Sequence, residues 1–389
     1  MTTTSLPEAA PAILAAAAQL GPQIAGRVEE IEHTRKVPAE LIKAISDAGI
    51  FRMLIPREFG GYEVELDDAI RVIAEIARHD ASVAWQVLVG AGNQYFLGWL
   101  PEHSMRTAMA ASADVLVRGA LAPNGVGRRV EGGFVISGRW PLASGSYQAD
   151  WVLAGFLIMG EAGPLRLPNG APDIRIAVIR PDAVTWHDTW DSVGLRGSQS
   201  QDFEVHDLFV ADDWAGPFAS PSSIDSPWFS LPPMPTGPLH AAVSVGALQG
   251  MVDDLGALAT TKKPAFGGGQ TLADDPVFTT SFGELGTQVD MLEAVTLTVA
   301  TTLMEIARSG EVDPIRYQRM QTMNAHVQRH ATTVADQLMA LAGSTSIYTA
   351  NSMQRRWRDI RCVAQHLNAG TRNYTALGTY LAGGTPHGH

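Results

Sequence analysis

The chain has a single cysteine, Cys362, and this scarcity excludes an internal disulfide and a cysteine-rich metal site. Charged residues are also few, at 17%, and the 28 basic residues are outnumbered by 40 acidic ones. The resulting net charge of −12 argues against nucleic acid or an anionic membrane as a partner. A reducing compartment, the cytoplasm, is the expected location.

Long apolar runs are also missing. The longest one, residues 151–159, has about half the length that a membrane helix requires, so we expect no membrane span. Residues 1–5 lack the basic segment and apolar core of a secretory signal. With 46% hydrophobic residues over 389 positions, the chain can still build a sizeable core. These features predict a soluble globular protein.

The periodicity of the apolar residues divides the chain into three regions. Residues 1–113 carry them at three-to-four spacing, which predicts a helical domain. Residues 114–230 alternate with a period of two and predict a central β-barrel-like domain, with strands at 115–117, 134–136, 152–157 and 174–179. Residues 231–389 are helical again, with breaks at 264–269, 310–314 and 343–345, and predict a four-helix bundle. The fold class is therefore α+β.

Local signals mark several boundaries. Glu131-Gly132-Gly133 is typical of a hairpin turn, and either Asp80 or Ser82 is suited to cap the helix that follows. The Pro- and Ser-rich residues 220–238 predict a linker or a lid. The His326-x-x-x-His330 spacing is that of a zinc helix, but the glutamate of that motif and a third ligand are missing, so we expect no metal site.

Three longer motifs carry candidate chemistry. The first is Gly138-Arg139-Trp140-Pro141-Leu142-Ala143-Ser144-Gly145-Ser146, followed by Ala149-Asp150-Trp151. The second is Gly194-Leu195-Arg196-Gly197-Ser198, which precedes a predicted strand. The third is the stretch 354–370, predicted as the last long helix, with Arg358-Asp359, His366 and Ala369-Gly370.

These motifs, and the order of helices, β domain and helical bundle, resemble the acyl-CoA dehydrogenase superfamily over nearly the whole chain. Many dehydrogenases of that superfamily place Glu-Gly where this chain has Ala369-Gly370, and the glutamate removes a proton from an acyl thioester. The chain lacks that carboxylate and has His366 nearby. This combination resembles the branch of two-component flavin-dependent monooxygenases (group D).

The resemblance implies a reaction and its partners. Reduced FMN or FAD would come from a separate NAD(P)H-flavin reductase and react with O2 to a C4a-hydroperoxide. One oxygen atom would then enter a small organic substrate, with a preference for an aromatic or polyketide-like one. Flavin in this superfamily often lies at a subunit interface, so a homotetramer is expected. The segment 262–267 loosely resembles one that reaches the FAD diphosphate from a neighbouring subunit.

The resemblance also assigns site residues. Ser144, with Ser146 as the second candidate, would stand beside the flavin N5, and Trp140 and Gly145 would lie against the ring. Arg196, Gly197 and Ser198 would approach the cofactor, because small residues admit a ligand to the backbone and arginine holds a phosphate or carbonyl oxygen. Asn93 stands where many phenol-hydroxylating relatives carry a histidine, and as an asparagine it can only orient polar groups.

His366 is predicted to be the residue that activates the substrate. On a continuous helix it would share a face with Asp359, Cys362 and Val363, and burial there would keep its imidazole neutral and able to accept a proton. The substrate pocket would lie between Asn93 and His366, under a lid at residues 228–234.

Plainer interpretations stay open at this stage. Ser-Gly-Ser is also a common turn, Gly-Leu-Arg-Gly-Ser a solvated β-turn, Asn93 a helix end and His366 an ordinary core histidine. Rival functions are an acyl-CoA dehydrogenase or oxidase with a displaced base, an N- or S-oxygenase of the same branch, or a non-enzymatic relative that binds a ligand. The candidates for a displaced base are Glu284, Glu293 and Glu305.

Overall fold

The structure is a computed structural model that describes residues 6–233, 235–264 and 268–384. The first helices are α1 (Leu6–Ala25), α2 (Val28–Thr34), α3 (Ala39–Asp47), α4 (Leu66–His79), α5 (Ala81–Gly92) and α6 (Glu102–Met109). The strands are β1 (Val117–Val130), β2 (Gly133–Ala143), β3 (Trp151–Gly160), β4 (Gly163–Pro164), β5 (Ile174–Ile179), β6 (Thr185–His187), β7 (Gln201–Ala211) and β8 (Ala215–Pro217). The last helices are α7 (Gly237–Ala259), α8 (Pro276–Ser309), α9 (Pro314–Ala342), α10 (Ser352–Val363) and α11 (Arg372–Leu381).

Helix α5 is buried along its whole length. Asp80 begins it as an N-cap, because its carboxylate accepts a hydrogen bond from the backbone N–H of Val83 at 2.9 Å. Every residue of the helix is buried, as expected for a helix that is apolar on all faces. The predicted Asp80 cap is confirmed, and α5 lies where it contacts both the sheet and the C-terminal helices.

The central region is one mixed sheet in the order β6-β7-β2-β1-β3-β5-β8, with β4 paired to β3. Val130 pairs with Gly133, so the predicted Glu131-Gly132-Gly133 turn is present. Neighbouring strands are antiparallel except β1 and β3, which run parallel. Strands β6 and β8 are the two ends of this path, so the barrel-like shape expected from the sequence is not closed by strand pairing.

In the described part of the C-terminal region there are three long helices and two shorter ones. The predicted breaks at 310–314 and 343–345 separate α8 from α9 and α9 from α10. The stretch 354–370 is not one helix, however. Helix α10 ends at Val363, and His366 begins a short 3-10 turn, Leu367–Ala369, so His366 does not share a helix face with Asp359.

Two hydrophobic cores organise the fold. One lies inside the sheet, and the other is shared by the N-terminal and the C-terminal helices. The predicted boundaries after residues 113 and 230 fall in segments between regular elements. None of the helices in the described ranges combines the length and apolar character needed to span a bilayer.

Candidate active site

Two consecutive residues of α5 connect the two parts of the candidate site. Gln86 donates hydrogen bonds to the loop that precedes β7. Trp85 contacts two histidines of the C-terminal region. The predicted serine motif and the predicted histidine are therefore both arranged around α5.

The first part is a cradle made by the end of β2 and the start of β7, defined here as residues 143–146 and 196–200. The two segments are joined by a hydrogen bond from the Gly145 N–H to the Ser198 carbonyl at 3.3 Å. The hydroxyls of Ser144, Ser200 and Ser198 form a chain, with 2.7 Å between the last two. Ser198 and Ser200 are buried, whereas Ser144 is partly exposed. Ser144 is therefore the hydroxyl of this chain that is available to a ligand.

Gln86 holds the β7 side of the cradle. Its amide nitrogen lies 3.1 Å from the Gly197 carbonyl, 3.0 Å from the Ser198 carbonyl and 3.1 Å from the Gln199 side-chain oxygen. Gln199 itself has a positive φ of 55°. A left-handed glutamine is uncommon, and these buried hydrogen bonds offset its backbone strain.

A buried arginine, Arg118 of β1, ties the two sides together. Its Nη2 donates to the carbonyls of Ala143 at 2.8 Å and Gln199 at 3.0 Å. Its guanidinium lies 3.8 Å from the centre of the Trp186 ring, a cation–π contact. Burial lowers the pKa of Arg118 to about 9, so it remains charged at neutral pH. Arg118 was not predicted from the sequence, because an arginine in an alternating strand usually predicts a solvent-facing side chain.

Several predicted cofactor residues support the cradle instead of lining it. Trp140 is fully buried, stacks on Phe203 at 4.9 Å and donates its indole N–H to the Gly155 carbonyl, so its ring belongs to the sheet core. Arg196 donates to the carbonyls of Glu32 at 3.0 Å and Ser192 at 2.7 Å. Its guanidinium thus anchors the loop to α2.

The small residues of the two motifs are explained mainly by packing. A Cβ on Gly197 would lie 2.4 Å from the Ile31 side chain, and one on Gly145 would lie 2.6 Å from the Cβ of Arg118. The Ser146 hydroxyl accepts a hydrogen bond from the Gln148 N–H at 3.1 Å, as in a local turn. Of the hydroxyls in the first motif, Ser144 remains the better candidate.

The second part is a pair of stacked histidines, called here the histidine pair. His240 of α7 and His366 have ring centres 4.0 Å apart and planes 20° apart. The Trp85 indole meets both rings edge-on, at 5.1 Å and 5.8 Å. His240 was not predicted from the sequence, because no local motif shows that a helix so far from His366 along the chain packs against it.

Both rings of the histidine pair are kept neutral by their surroundings. Burial lowers the pKa of His240 to about 4, although a hydrogen bond to the Thr236 carbonyl partly opposes this shift. The pKa of His366 also lies well below its ordinary value, chiefly through burial and further through the nearby His240 and Arg372. For His366 the charged form is therefore disfavoured both by burial and by His240, whose ring centre lies 4.0 Å away.

Asn93 and the alternative glutamates lie elsewhere. Asn93 follows the last residue of α5, and its amide donates to the Val117 carbonyl at 3.4 Å, a long bond that joins α5 to β1. Glu284 and Glu305 are exposed, and Glu305 pairs with Arg316. Glu293 accepts a hydrogen bond from Gln249 at 3.0 Å. These positions give the displaced-base alternative no buried carboxylate.

The cradle fits the edge of a flavin ring. A flavin offers nitrogen and oxygen atoms in one plane, and the cradle offers an accessible Ser144 hydroxyl, with the buried positive charge of Arg118 behind the Ala143 and Gln199 carbonyls. Two nitrogens of that guanidinium, Nε and Nη1, have no hydrogen-bond partner within the described residues. A buried cation without a carboxylate partner suits an electron-rich, negatively polarised ligand.

Sequence comparison supports a flavin enzyme. The indole-3-acetate monooxygenase of Pseudomonas putida is 27% identical over 362 residues, which cover 92% of this chain and 91% of that protein. The oxygenase component of the FADH2-dependent resorcinol hydroxylase of Rhizobium sp. (strain MTP-10005) is 26% identical and covers 90% of this chain and 88% of that protein. The names of these relatives confirm the predicted monooxygenase branch.

Solved structures share the fold. XiaF from Streptomyces sp., in complex with FADH2 and glycerol, has a TM-score of 0.91 and 21% identity, covering 99% of this chain and 98% of that chain. TdsC from Paenibacillus sp. A11-2, in complex with FMN and indole, has a TM-score of 0.81 and 22% identity, covering 96% of this chain and 98% of that chain.

Two family models match the chain itself: "Acyl-CoA dehydrogenase, N-terminal domain" over residues 13–99 and "Acyl-CoA dehydrogenase, C-terminal domain" over residues 238–370. The chain therefore belongs to the acyl-CoA dehydrogenase family.

Proposed function

We propose that this protein is the oxygenase component of a two-component flavin-dependent monooxygenase. It takes reduced FMN or FAD from a separate NAD(P)H-flavin reductase and transfers one atom of O2 to a small organic substrate. The observation that carries the proposal is the arrangement around α5: a serine cradle on one side and neutral imidazoles on the other, through Gln86 and Trp85. The names of the sequence relatives support the same activity.

The reduced flavin supplies the electrons that activate oxygen, and the chain supplies position and shelter. Ser144 holds the edge of the flavin ring with its hydroxyl, which Ser200 orients. Gln86 and Arg118 keep the two sides of the cradle at a fixed separation. Preorganised donors of this kind need no rearrangement when charge develops on the ligand.

His366 and Trp85 form the wall that faces the substrate, and His366 activates the substrate's polar group. Neutral rings suit this role, because a permanent charge in the pocket would penalise an apolar aromatic substrate. Asn93 orients the end of α5 beside β1. Oxygen insertion into carbon is the leading reaction, and N- or S-oxygenation at the same site is the alternative.

The predicted lid lies against the N-terminal helices. Trp228, Phe229 and Leu231 are buried, and the Leu231 carbonyl accepts a hydrogen bond from the Tyr95 hydroxyl at 2.8 Å. Met234 of this predicted lid, and residues 265–267 of the predicted diphosphate segment, lie outside the described residues. We propose that residues 228–233 close the substrate pocket during turnover.

Anaerobic titration tests the function directly. Reduced FMN and FADH2 should quench the tryptophan fluorescence of the purified protein at lower concentrations than their oxidised forms. The isolated protein should be nearly colourless, whereas a dehydrogenase would carry tight yellow flavin that bleaches with acyl-CoA. If no reduced flavin binds, a monooxygenase is excluded. Bleaching by acyl-CoA would establish the dehydrogenase alternative.

We further propose that the assembly is a homotetramer located in the cytoplasm. Support for the tetramer comes from the family, in which flavin often lies between subunits. Several large apolar side chains of the C-terminal region are exposed, as expected of a surface that another subunit covers: Val277, Met291, Ile347, Tyr348 and Leu381. Analytical ultracentrifugation at several protein concentrations should show one species of four chains. A monomer at all concentrations contradicts this assembly.

A further inference from the structure

The lid, residues 228–233, lies between two anchored ends of its segment. On the N-terminal side, the N–H of Ser223 donates a hydrogen bond to the Gly98 carbonyl at 2.8 Å. On the C-terminal side, the Thr236 carbonyl accepts a hydrogen bond from Nδ1 of His240 at 2.8 Å. The segment is therefore fixed on both sides of the lid, and its C-terminal anchor is a member of the histidine pair.

The second half of the lid has few hydrogen bonds of its own. The first half belongs to a turn, in which the N–H and the hydroxyl of Ser230 both donate to the Ser226 carbonyl, at 3.0 Å and 2.9 Å. Pro232 and Pro233 have no N–H, so this part of the chain can be held only through its carbonyls. Among the described residues, the carbonyls of Leu231, Pro232 and Pro233 bond only to the hydroxyls of two tyrosines.

Tyr95 and Tyr317, called here the tyrosine pair, supply these hydroxyls from different parts of the fold. Tyr95, in the 3-10 segment that follows α5, donates to the first of the three carbonyls at 2.8 Å. Tyr317, near the start of α9, lies 3.4 Å and 3.3 Å from the other two. Gln321, one turn later, donates to the Tyr317 hydroxyl at 2.7 Å and thereby leaves the hydrogen of that hydroxyl free for the lid.

Both hydroxyls remain donors at neutral pH. Burial raises the pKa of Tyr95 to about 12, and burial also raises the pKa of Tyr317. The Tyr95 ring makes separate contacts with the lid, because it stacks on Phe229 with ring centres 6.1 Å apart and meets Trp228 edge-on at 5.8 Å. Phenylalanine at position 95 would keep these ring contacts and remove only the hydroxyl.

Two features of the closed lid favour its opening. Trp228 is buried, and its indole N–H has no hydrogen-bond partner among the described residues, so closure costs this group the bond that water would supply. A cavity of about 400 Å³ adjoins the lid and is lined by Phe229 and Pro233 of the lid and by Pro221 and Val312 of neighbouring loops. Close packing would resist movement, whereas this cavity leaves room for it. The tyrosine pair opposes the opening that these two features favour.

We propose that the tyrosine pair is a latch that holds the lid closed over the substrate pocket, and that substrate enters when both hydroxyls release the lid. This inference rests on the proposed function, in which residues 228–233 close that pocket. Tyr95 and Tyr317 are positioning residues, because they act on the substrate only through the lid. Release of the three carbonyls frees the lid to move towards the cavity and leaves the anchors at Ser223 and Thr236 in place.

Thiol labelling measures the opening of the lid without turnover. In a Cys362→Ser background, Ser226→Cys places the only thiol in the turn that carries the lid, and Ser244→Cys places it on α7. Both serines are buried and neither hydroxyl has a partner among the described residues, so each substitution breaks no hydrogen bond. Labelling should be much faster for Ser226→Cys, which reports the lid, than for Ser244→Cys, which reports the helical core. Equal rates would mean that the lid does not open locally, and the proposal would be wrong.

Phenylalanine variants test the two hydroxyls. Tyr95→Phe should speed the labelling of Ser226→Cys about fivefold, as for one lost hydrogen bond, and Tyr317→Phe should do so by less, because its bonds are longer. The labelling of Ser244→Cys should not change. Tyr348→Phe, with an exposed ring, is the matched control and should leave both rates unchanged. Equal acceleration of both thiols would indicate general destabilisation and contradict the latch, as would unchanged rates in both folded tyrosine variants.

Acylation of the histidine pair shows whether the lid guards the pocket. Diethyl pyrocarbonate acylates neutral imidazoles, and peptide mass spectrometry identifies each modified histidine. Tyr95→Phe should speed the modification of buried His240 by about the same factor as the labelling of the lid thiol, whereas exposed His326 should react at an unchanged rate. If the lid thiol reacts faster and His240 does not, the lid opens away from the pocket and the proposal is wrong.

The latch and the proposed function fail in different experiments. If the wild-type protein binds no reduced flavin, but Tyr95→Phe speeds both labelling and acylation, the proposed function is wrong and the latch stands. If reduced flavin binds and neither tyrosine variant changes the labelling of the lid, the function stands and the latch is wrong. When Tyr95→Phe does not fold, Tyr317→Phe acts on the same lid and decides.

Discussion

The carboxylate of Asp359 accepts a hydrogen bond from the backbone N–H of Leu195 at 2.7 Å. This bond joins α10 to the loop that starts the cradle, and Leu195 has a positive φ of 50° there. Arg355, one turn earlier on α10, pairs with Asp80, the N-cap of α5, at 2.7 Å. Arg355 and Asp359 of α10 therefore connect the C-terminal helices to both the cradle loop and α5.

Asp359→Asn should keep the hydrogen bond from the Leu195 N–H and remove the charge of the carboxylate, so that the two effects on stability can be measured separately. Burial raises the pKa of Asp359 to about 7, against the opposing effect of Arg355. A raised carboxyl pKa means that the folded state binds more protons than the unfolded state, so this contribution to stability is full below about pH 4 and is lost as the pH rises through about 7. Asparagine still accepts from Leu195 and carries no charge.

The thermal midpoint of Asp359→Asn, relative to wild type, should therefore increase from about pH 5 to about pH 8. Asp359→Ala is the control, since it leaves the Leu195 N–H unpaired and should be less stable than Asp359→Asn by about 1–3 kcal/mol at every pH. A constant difference between Asp359→Asn and wild type would show that Asp359 does not titrate in this window.

The parts of the fold that depend on neighbouring residues were predictable from the sequence. The Asp80 cap and the turn after Val130 are set by side chains within a few positions of each other. The end of α10 was not predictable in this way. Residues 364–366 contain no proline or glycine, and the helix ends where Nδ1 of His366 caps the next turn beside α7.

The site itself was predictable only where the family motifs cover it. Ser144 and His366 belong to such motifs, and the structure arranges both around α5 through Gln86 and Trp85. His240 and Arg118 come from other elements, and only tertiary packing brings them to the site. A single sequence carries no signal for a contact between distant helices or strands unless a motif links them.

Ser144→Ala should weaken the protection of the reduced flavin. Without its hydroxyl, the edge of the ring loses the one hydrogen-bonding group of the serine chain that is accessible. The oxidised flavin spectrum should return faster after mixing with oxygen, by about tenfold for one lost hydrogen bond. Stopped-flow absorbance measures this rate.

Ser146→Ala is the matched control for that experiment, because the Ser146 hydroxyl bonds only to the nearby Gln148 N–H. Its reoxidation rate should equal that of wild type. If Ser146→Ala accelerates the reaction and Ser144→Ala does not, the two serines have been assigned in the wrong order.

Gln86→Leu should loosen the cradle without touching the flavin. Leucine is close to glutamine in volume, but it cannot donate the hydrogen bonds that the Gln86 amide gives to the carbonyls of Gly197 and Ser198. We expect a loss of about 1–3 kcal/mol in stability and weaker binding of reduced flavin. Urea unfolding and anaerobic titration measure the two effects. Wild-type affinity in a destabilised Gln86→Leu protein would show that the loop needs no anchoring from α5.

His240→Asn should remove much of the acid sensitivity of the protein. The pKa of His240 lies at about 4 in the folded protein, below its ordinary 6.5, so the unfolded state binds more protons between these two values. The contribution of His240 is therefore fully present above about pH 6.5 and is lost as the pH falls through about 4. The stability contribution of His240 therefore increases with pH, whereas that of Asp359 decreases with pH.

Between about pH 7 and about pH 4, wild type should lose on the order of 3 kcal/mol more than His240→Asn, because one pKa unit corresponds to about 1.4 kcal/mol. The comparison requires thermal midpoints of both proteins across this range, with His326→Asn as the surface control. The variant also removes the stacked neighbour that helps to keep His366 neutral, so the stability of the variant should depend even less on pH. Parallel pH profiles for wild type and His240→Asn would mean that the buried ring does not titrate on unfolding, and the assignment of two neutral rings to the histidine pair would lose its thermodynamic support.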